Sequence, residues 1–227
     1  MLAPVKRAQR GLSIVELLVG MALGLFIVGA SIALAMSHLR EHRALLLESR
    51  LMQDLRNATD LVLLDLRRAG AWGNAGAGVW HHGASVVIEN PYAAIAPATA
   101  ASDAVSFSFS RDSSENHHLD SHEQFGFRLH DGVIEMLLGE GNWQALTDSG
   151  TLVVTAFSIT PTVQELALPG FCAKDCPSGS TTCPPRQQIR SWTVSITGRS
   201  TTGAAVLRSV HSNVRTRNDL IVGACFL

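Results

Sequence analysis

The sequence predicts an α+β protein with one long N-terminal helix followed by an antiparallel β-sheet domain. Residues 12–69 contain no proline, and their apolar residues form a continuous run at first and then recur at helical spacing. After Gly78, short runs of β-branched and aromatic residues alternate with Gly, Pro, Asn, Asp and Ser, as is typical of strands and turns. With 227 residues, 46% of them hydrophobic, the chain can form one packed domain and an appended segment.

The first element is an apolar run, residues 12–36, whose single charge is Glu16. A helix of about 20 residues crosses the ~30 Å hydrocarbon core of a bilayer, so we predict a transmembrane segment at 12–36. The alternative is a cleaved secretory signal ending near Ala33-Leu34-Ala35, but the apolar region of such signals spans only about 7–15 residues. Three basic residues precede the run and predict a cytoplasmic N-terminus: Lys6, Arg7 and Arg10.

The second half of the predicted helix, residues 38–69, should pack against the β domain. Its apolar residues step by three or four positions, an average of about 3.6, which places them on one face. Gly70 ends the predicted helix, and the glycines that follow it up to Gly78 exclude a regular helix there. The apolar face comprises Ala44, Leu47, Leu51, Leu55, Ala58, Val62, Leu66 and Ala69.

The β domain begins after the glycine-rich stretch. Asp131-Gly132 lies between two strand-like runs and predicts a β-hairpin. Residues 161–188 contain several Pro, Ser and Cys and predict a long loop. The predicted strands are 84–89, 104–110, 124–130, 133–138, 143–146, 151–160, 189–199 and 205–217.

All four cysteines lie beyond residue 170, and their even number in an exported domain predicts disulfides that restrain the C-terminal region. Four cysteines allow three pairings, and the sequence does not choose among them. A zinc site is the alternative, but the spacing fits no compact ligand pattern. The cysteines are Cys172, Cys176, Cys183 and Cys225.

Glu16 is the residue that bears most directly on function. A carboxylate inside a transmembrane segment costs roughly 2.5–3.5 kcal/mol on insertion scales, so it usually has a partner or a role. Gly11 directly precedes the apolar run, and Glu16 is the fifth residue after it. Residues 10–18, RGLSIVELL, resemble the cleavage and methylation signature of type IV prepilins and type II secretion pseudopilins. Residues 65–70, DLRRAG, and 214–218, VRTRN, resemble segments of minor pilins of the PilW type.

The resemblance implies a pilin-like fold with a leader at 1–11, a long helix at 12–70 and a periplasmic β-rich domain at 71–227. It also implies that the prepilin peptidase cleaves between Gly11 and Leu12 and methylates the new amino group of Leu12. Glu16 would then pair with the N-terminal amine of a neighbouring subunit during filament assembly.

One polar loop, residues 112–123, offers candidate metal ligands. The zinc-protease order HExxH is absent around its histidines. Its oxygen-bearing residues follow the spacing of an EF-hand calcium loop, but a histidine replaces the glycine and the flanks are strand-like. We expect no metal and no cofactor, and calcium binding stays open. The residues concerned are Asp112, Ser114, Asn116, His117, His118, Asp120, His122 and Glu123.

The sequence contains no GxSxG, P-loop or dinucleotide motif, so we expect that the protein is not an enzyme. A net charge of −1 excludes bulk attraction to nucleic acid. Arginines of the C-terminal third would bind DNA in a competence pilus, but solvent-facing strand positions explain them equally well, and we do not expect DNA binding. They are Arg186, Arg190, Arg199, Arg208, Arg215 and Arg217.

The expected function is that of a minor pilin, a low-abundance subunit that primes or supports type IV pilus assembly and thereby twitching motility and adhesion. The expected location is the inner membrane, by a single span, with a periplasmic C-terminal domain, and then the pilus filament. Expected partners are the prepilin peptidase, other minor pilins, the major pilin, the inner-membrane assembly platform and a pilus-tip adhesin. The alternatives are a J-type minor pseudopilin of type II secretion, a DNA-uptake subunit and a membrane-tethered periplasmic hydrolase.

Overall fold

The computed structural model describes residues 11, 13–78, 88–202 and 206–226. Helix α1 spans Ile14–Arg68 and comprises 55 residues. It ends where the sequence predicts, because Gly70 takes a φ of +72°, which favours glycine. The chain forms two compact units, residues 1–46 and 47–227, and α1 contributes to both.

In the first unit, α1 is apolar and exposed. Its large aliphatic and aromatic side chains from Ile14 to Leu39 are all about half exposed or more. By length and composition, α1 contains a stretch that can cross a membrane, at the position predicted from the sequence. These properties fit the predicted transmembrane segment at 12–36.

In the second unit, α1 buries the predicted apolar face. Leu47 is half-buried and Ala44 is exposed, so the predicted face is confirmed from Leu47 onward. Thr59 also lies on this face, and its hydroxyl donates to the carbonyl oxygen of Leu55 at 2.8 Å. The fully buried residues of the predicted face are Leu51, Leu55, Ala58, Val62, Leu66 and Ala69.

Two antiparallel sheets make up the rest of the second unit. The first has the order β1-β2-β3-β4-β5, and the β3–β4 turn is the predicted hairpin, with φ of +49° at Asp131 and +76° at Gly132. In the second sheet, β7 pairs with β6, β8 and β9. The strands are β1 Ile95–Ala96, β2 Ala104–Ser108, β3 Gln124–His130, β4 Val133–Leu138, β5 Trp143–Ala145, β6 Leu152–Ala167, β7 Arg186–Ser200, β8 Leu207–Arg215 and β9 Leu220–Val222.

One hydrophobic core joins α1 to both sheets. The α1 face lies in the same cluster as Phe107 and Phe127 of the first sheet and Val194 and Ile196 of the second. Aromatic side chains concentrate on the first sheet, where the rings of Phe109 and Phe125 stack with centroids 4.0 Å apart. The α+β architecture predicted from the sequence is therefore confirmed.

The predicted loop at 161–188 is wrong at both ends, because β6 continues to Ala167 and β7 already begins at Arg186. Pro161 suggested a loop, yet it pairs with Trp192 within the β6–β7 ladder. Ile159 donates its backbone N–H to Ser102 at 2.8 Å, on the side away from β7. Two residues along a strand the backbone faces the same way, so Pro161 removes no hydrogen bond from the ladder.

Other differences concern short or undescribed segments. Strands β1 and β9, of two and three residues, were not predicted, because runs this short show little alternation. The predicted strand at 84–89 lies outside the described residues except for its last two positions, which are not in a strand. Leader residues 1–10 and Leu12 also lie outside the described residues.

Candidate functional site

Glu16 lies in the first turn of α1 and is exposed. Ser13 begins the helix: its hydroxyl accepts a hydrogen bond from the N–H of Val15 at 3.3 Å, and its carbonyl accepts one from Leu17 at 3.1 Å. A carboxylate in the first turn of a helix is stabilised by the helix dipole. Within the described part of the chain Glu16 forms no ion pair, and its side chain is exposed. The cleavage position between Gly11 and Leu12 stays a prediction.

The second candidate region is the C-terminal end of α1, where residues 65–70 and 214–218 meet. The last carbonyls of a helix have no partner within the helix. Here Arg217 donates its backbone N–H to Arg67 at 3.0 Å, and the side-chain amide of Asn218 reaches the carbonyl of Ala69 at 3.4 Å. Asn90 likewise donates to the carbonyl of Gly70 at 2.9 Å. The two segments that were selected separately from the sequence therefore form one structural unit.

Arg190 is only 7% exposed and contacts this unit through Asn218. Its Nη1 donates to the carbonyl of Ala93 at 2.7 Å and its Nη2 to that of Asn218 at 3.3 Å. Burial lowers the pKa of Arg190, and the nearby charge of Asp219 opposes that effect. Arg190 therefore has a structural role that the sequence did not reveal.

The arginines considered for DNA binding are largely engaged within the protein. Arg186 pairs with Glu165 at 3.4 Å, Arg208 pairs with Glu48 on α1, and Arg215 pairs with Asp219 at 2.7 Å. Arg190 is buried, so among the described residues Arg199 and Arg217 are the exposed members of this set that form no ion pair. A duplex requires several unpaired cations along its phosphates, and this arrangement does not supply a continuous stripe of them.

The candidate metal loop, 112–123, is organised around a buried carboxylate. Glu123 is fully buried; its Oε1 accepts a hydrogen bond from the N–H of Arg111 at 2.8 Å and lies 3.4 Å from the hydroxyl oxygen of Tyr92. Its Oε2 accepts one from the N–H of Asp120 at 3.0 Å. Burial raises the pKa of Tyr92, which therefore stays a hydroxyl donor. Both oxygens of Glu123 thus have a structural partner.

Glu115 fixes the other side of the same loop. Its carboxylate accepts hydrogen bonds from the N–H groups of Gly73 and His117, each at 3.0 Å, and from the Tyr92 hydroxyl at 3.1 Å. Partial burial raises the pKa of Glu115, but these donors together outweigh it and hold the pKa below its ordinary value. The loop is thereby tied to the segment that follows α1.

The structure brings one possible ligand atom each from Asp112, His122 and Glu123 to within 4.8 Å of one another. Two other candidates contact each other, because the side-chain amide of Asn116 donates to the carboxylate of Asp120 at 2.8 Å. His117 takes a φ of +62°, at the position where an EF-hand has glycine. Because both oxygens of Glu123 already accept hydrogen bonds, we interpret this cluster as the support of the loop.

Disulfides Cys172–Cys225 and Cys176–Cys183 use all four cysteines. The predicted disulfides are thus present in one of the three open pairings. Cys172–Cys225 links the segment after β6 to the residues after β9, next to a backbone hydrogen bond from Ala224 to Thr182 at 2.8 Å. The two bonds restrain the connection between β6 and β7.

The chain matches a known protein family. Residues 44–216 match the family described as prepilin peptidase-dependent protein B, over about three quarters of the chain. No curated protein and no solved structure matches the chain significantly. The match includes the second half of α1, strands β1 to β8 and residues 65–70, and it ends at Thr216, before Arg217, Asn218 and β9. The chain therefore belongs to the prepilin peptidase-dependent protein B family.

Proposed function

We propose that the protein is a minor pilin that the prepilin peptidase processes and that supports assembly of a type IV pilus. Its activity is structural, with no catalytic reaction and no cofactor. The proposed partners are the peptidase, other minor pilins, the major pilin, the inner-membrane assembly platform and a pilus-tip adhesin. Twitching motility and adhesion would follow from its effect on the filament.

Two independent parts of the chain support this proposal. The prepilin-like segment at residues 10–18 lies entirely before the family match, which begins at residue 44. The family match therefore does not depend on Gly11 or Glu16. The name of the family refers to the prepilin peptidase, and the N-terminal segment resembles a substrate of that same enzyme. Both lines lead to the same processing step.

The observation that carries the proposal is an exposed carboxylate in the first turn of an apolar helix. Cleavage after Gly11 would create a positively charged amine at Leu12, and Glu16 would be the fifth residue of the mature chain. Two charges that leave water together are tolerated as a pair, whereas either one alone is costly. A pair between Glu16 of one subunit and the amine of another would set the register of the two helices.

The decisive experiment measures processing and incorporation in cells. Mass spectrometry of the intact mature protein should show a chain that begins at Leu12 with a methylated amine. Glu16→Gln should leave this cleavage intact and reduce incorporation into filaments at least about tenfold, as loss of a pair worth more than about 1.4 kcal/mol requires. Glu41→Gln, on an exposed position of the same helix, is the matched control and should be incorporated normally.

The outcome also separates the alternatives. A mature chain that begins after Glu16 would contradict the proposal. Deletion of the gene should abolish or reduce surface pili while leaving protein secretion unchanged. The opposite result would favour a J-type pseudopilin of type II secretion.

A further inference from the structure

A shallow surface depression near the end of α1 is lined by Arg67, Arg215, Thr216 and Arg217. We call these four residues the arginine pocket. Arg67 comes from the last turn of α1, and the other three lie at the end of β8 and directly after it. The backbone hydrogen bond from Arg217 to Arg67 holds the two segments side by side. The fold therefore places these residues around one surface depression.

The arginine pocket carries more positive than negative charge. Arg215 is paired with Asp219, and that carboxylate also accepts a hydrogen bond from Gln187 at 2.6 Å. Within the described residues, neither Arg67 nor Arg217 forms an ion pair, and all three guanidinium-bearing residues are exposed. Of the three cations that line the depression, only Arg215 has an ion-pair partner within the described residues, so the depression attracts an anion from another molecule.

Two hydrogen bonds from Thr216 fix the backbone of the arginine pocket to β7. Thr216 is 1% exposed, and both its N–H and its hydroxyl donate to the carbonyl of Arg190, at 3.0 and 3.2 Å. Arg68, next to Arg67, is engaged differently, because it pairs with Asp65 at 3.6 Å and lies over the Phe109 ring. Arg68 is therefore held away from the arginine pocket, whereas Arg67 has no ion-pair partner within the described residues.

We propose that the arginine pocket docks acidic side chains of a neighbouring pilin-like subunit, an inference that rests on the proposed function as a filament subunit. A guanidinium group matches a carboxylate through two parallel hydrogen bonds, which gives geometry as well as attraction. The depression is open and shallow, which suits a protein surface rather than an enclosed small molecule. A nucleic acid fits less well, because most of the surrounding arginines are already paired or buried.

The test uses the full chain in assembled filaments. Arg217→Lys keeps the charge and supplies an amine, which a carbodiimide joins to a contacting carboxylate as an amide, with the lost water taken up by the reagent as a urea. Mass spectrometry should then identify a crosslink to an Asp or Glu of another pilin-like subunit. Arg199→Lys, at an exposed arginine of β7 without an ion pair in the described structure, is the control and should not give that crosslink.

A second variant measures the energetic role. Arg67→Glu combined with Arg217→Glu should lower incorporation about tenfold, and replacing the crosslinked acid of the partner by Arg should restore it. If the double variant fails to fold, the crosslink from Arg217→Lys still decides the question.

Three results would overturn this inference. They are crosslinks only to Asp219 of the same chain, normal incorporation of the double variant, and salt-sensitive duplex DNA binding that the double variant loses. If the unaltered protein is itself absent from filaments, the proposed function fails. If it is present and the double variant is present equally, only the pocket assignment fails.

Discussion

Arg190 donates two hydrogen bonds, to the carbonyls of Ala93 and Asn218, and so joins three separate parts of the chain beneath the end of α1. Among the described residues, it is the only arginine that is buried. A cation in that position is tolerated because carbonyl oxygens and the charge of Asp219 surround it.

Replacing Arg190 should therefore destabilise the second unit strongly. Arg190→Met leaves the carbonyls of Ala93 and Asn218 without their donor and should lower the free energy of unfolding by about 2–4 kcal/mol. Arg199→Met, on the same strand but exposed, should change it by less than about 0.5 kcal/mol. Denaturant unfolding of the full chain in detergent measures both. Equal effects of the two variants would contradict the structural role of Arg190.

The two disulfides should differ in their contribution to stability. Cys172–Cys225 joins residues 53 positions apart, whereas Cys176–Cys183 joins residues 7 apart. Restriction of the unfolded chain predicts losses of about 4 kcal/mol for Cys172→Ser with Cys225→Ser and about 2 kcal/mol for Cys176→Ser with Cys183→Ser. Unfolding of each double variant under non-reducing conditions tests this order. A larger loss from the shorter loop would show that loop length does not govern the effect.

Glu115 should make the stability of the second unit depend on acid pH. Its pKa is held below the ordinary value of 4.5, so its stabilising contribution is complete above about pH 4.5. That contribution is lost as the pH falls through the lowered folded-state pKa. Glu115→Gln should flatten this acid dependence, as measured by thermal unfolding between pH 3 and pH 6, a window of about one and a half units on either side of 4.5. Glu89→Gln, at an exposed position, should leave it unchanged.

Glu123 should act as a structural group in the 112–123 loop. Glu123→Gln keeps the shape of the side chain but replaces an acceptor oxygen by a donor facing the N–H groups of Arg111 and Asp120. We expect a loss of about 1–3 kcal/mol in the free energy of unfolding. Calcium should leave the unfolding temperature of the unaltered protein unchanged. A clear rise with calcium would instead support the EF-hand interpretation of the loop.

The sequence predicts those parts of the fold that carry long periodic patterns. The face from Leu47 to Ala69 was recognisable because its spacing continues over six helical turns, and the hairpin at Asp131-Gly132 was recognisable because its residue types favour positive φ. The end of β6 was not, because Pro161 signals a break in most contexts. Only the pairing of β6 with β7 shows that the backbone nitrogen of Pro161 faces away from β7.

In the candidate site too, local sequence patterns could be recognised and contacts made by the tertiary fold could not. The Gly11 and Glu16 pattern is local in sequence, so it could be recognised without a structure. The contact between residues 65–70 and 214–218 depends on the tertiary fold, and so does the burial of Arg190. Arginines that look alike in the sequence therefore differ in role, because some pair, one is buried and others remain exposed.

Pro161 has one more consequence, which concerns strand pairing between copies of the chain. Past the contact with Ser102, the outer side of β6 offers a row of backbone groups to which a foreign strand could add. Pro161 interrupts that row of donors where it begins. Uncontrolled strand addition between copies is thereby discouraged.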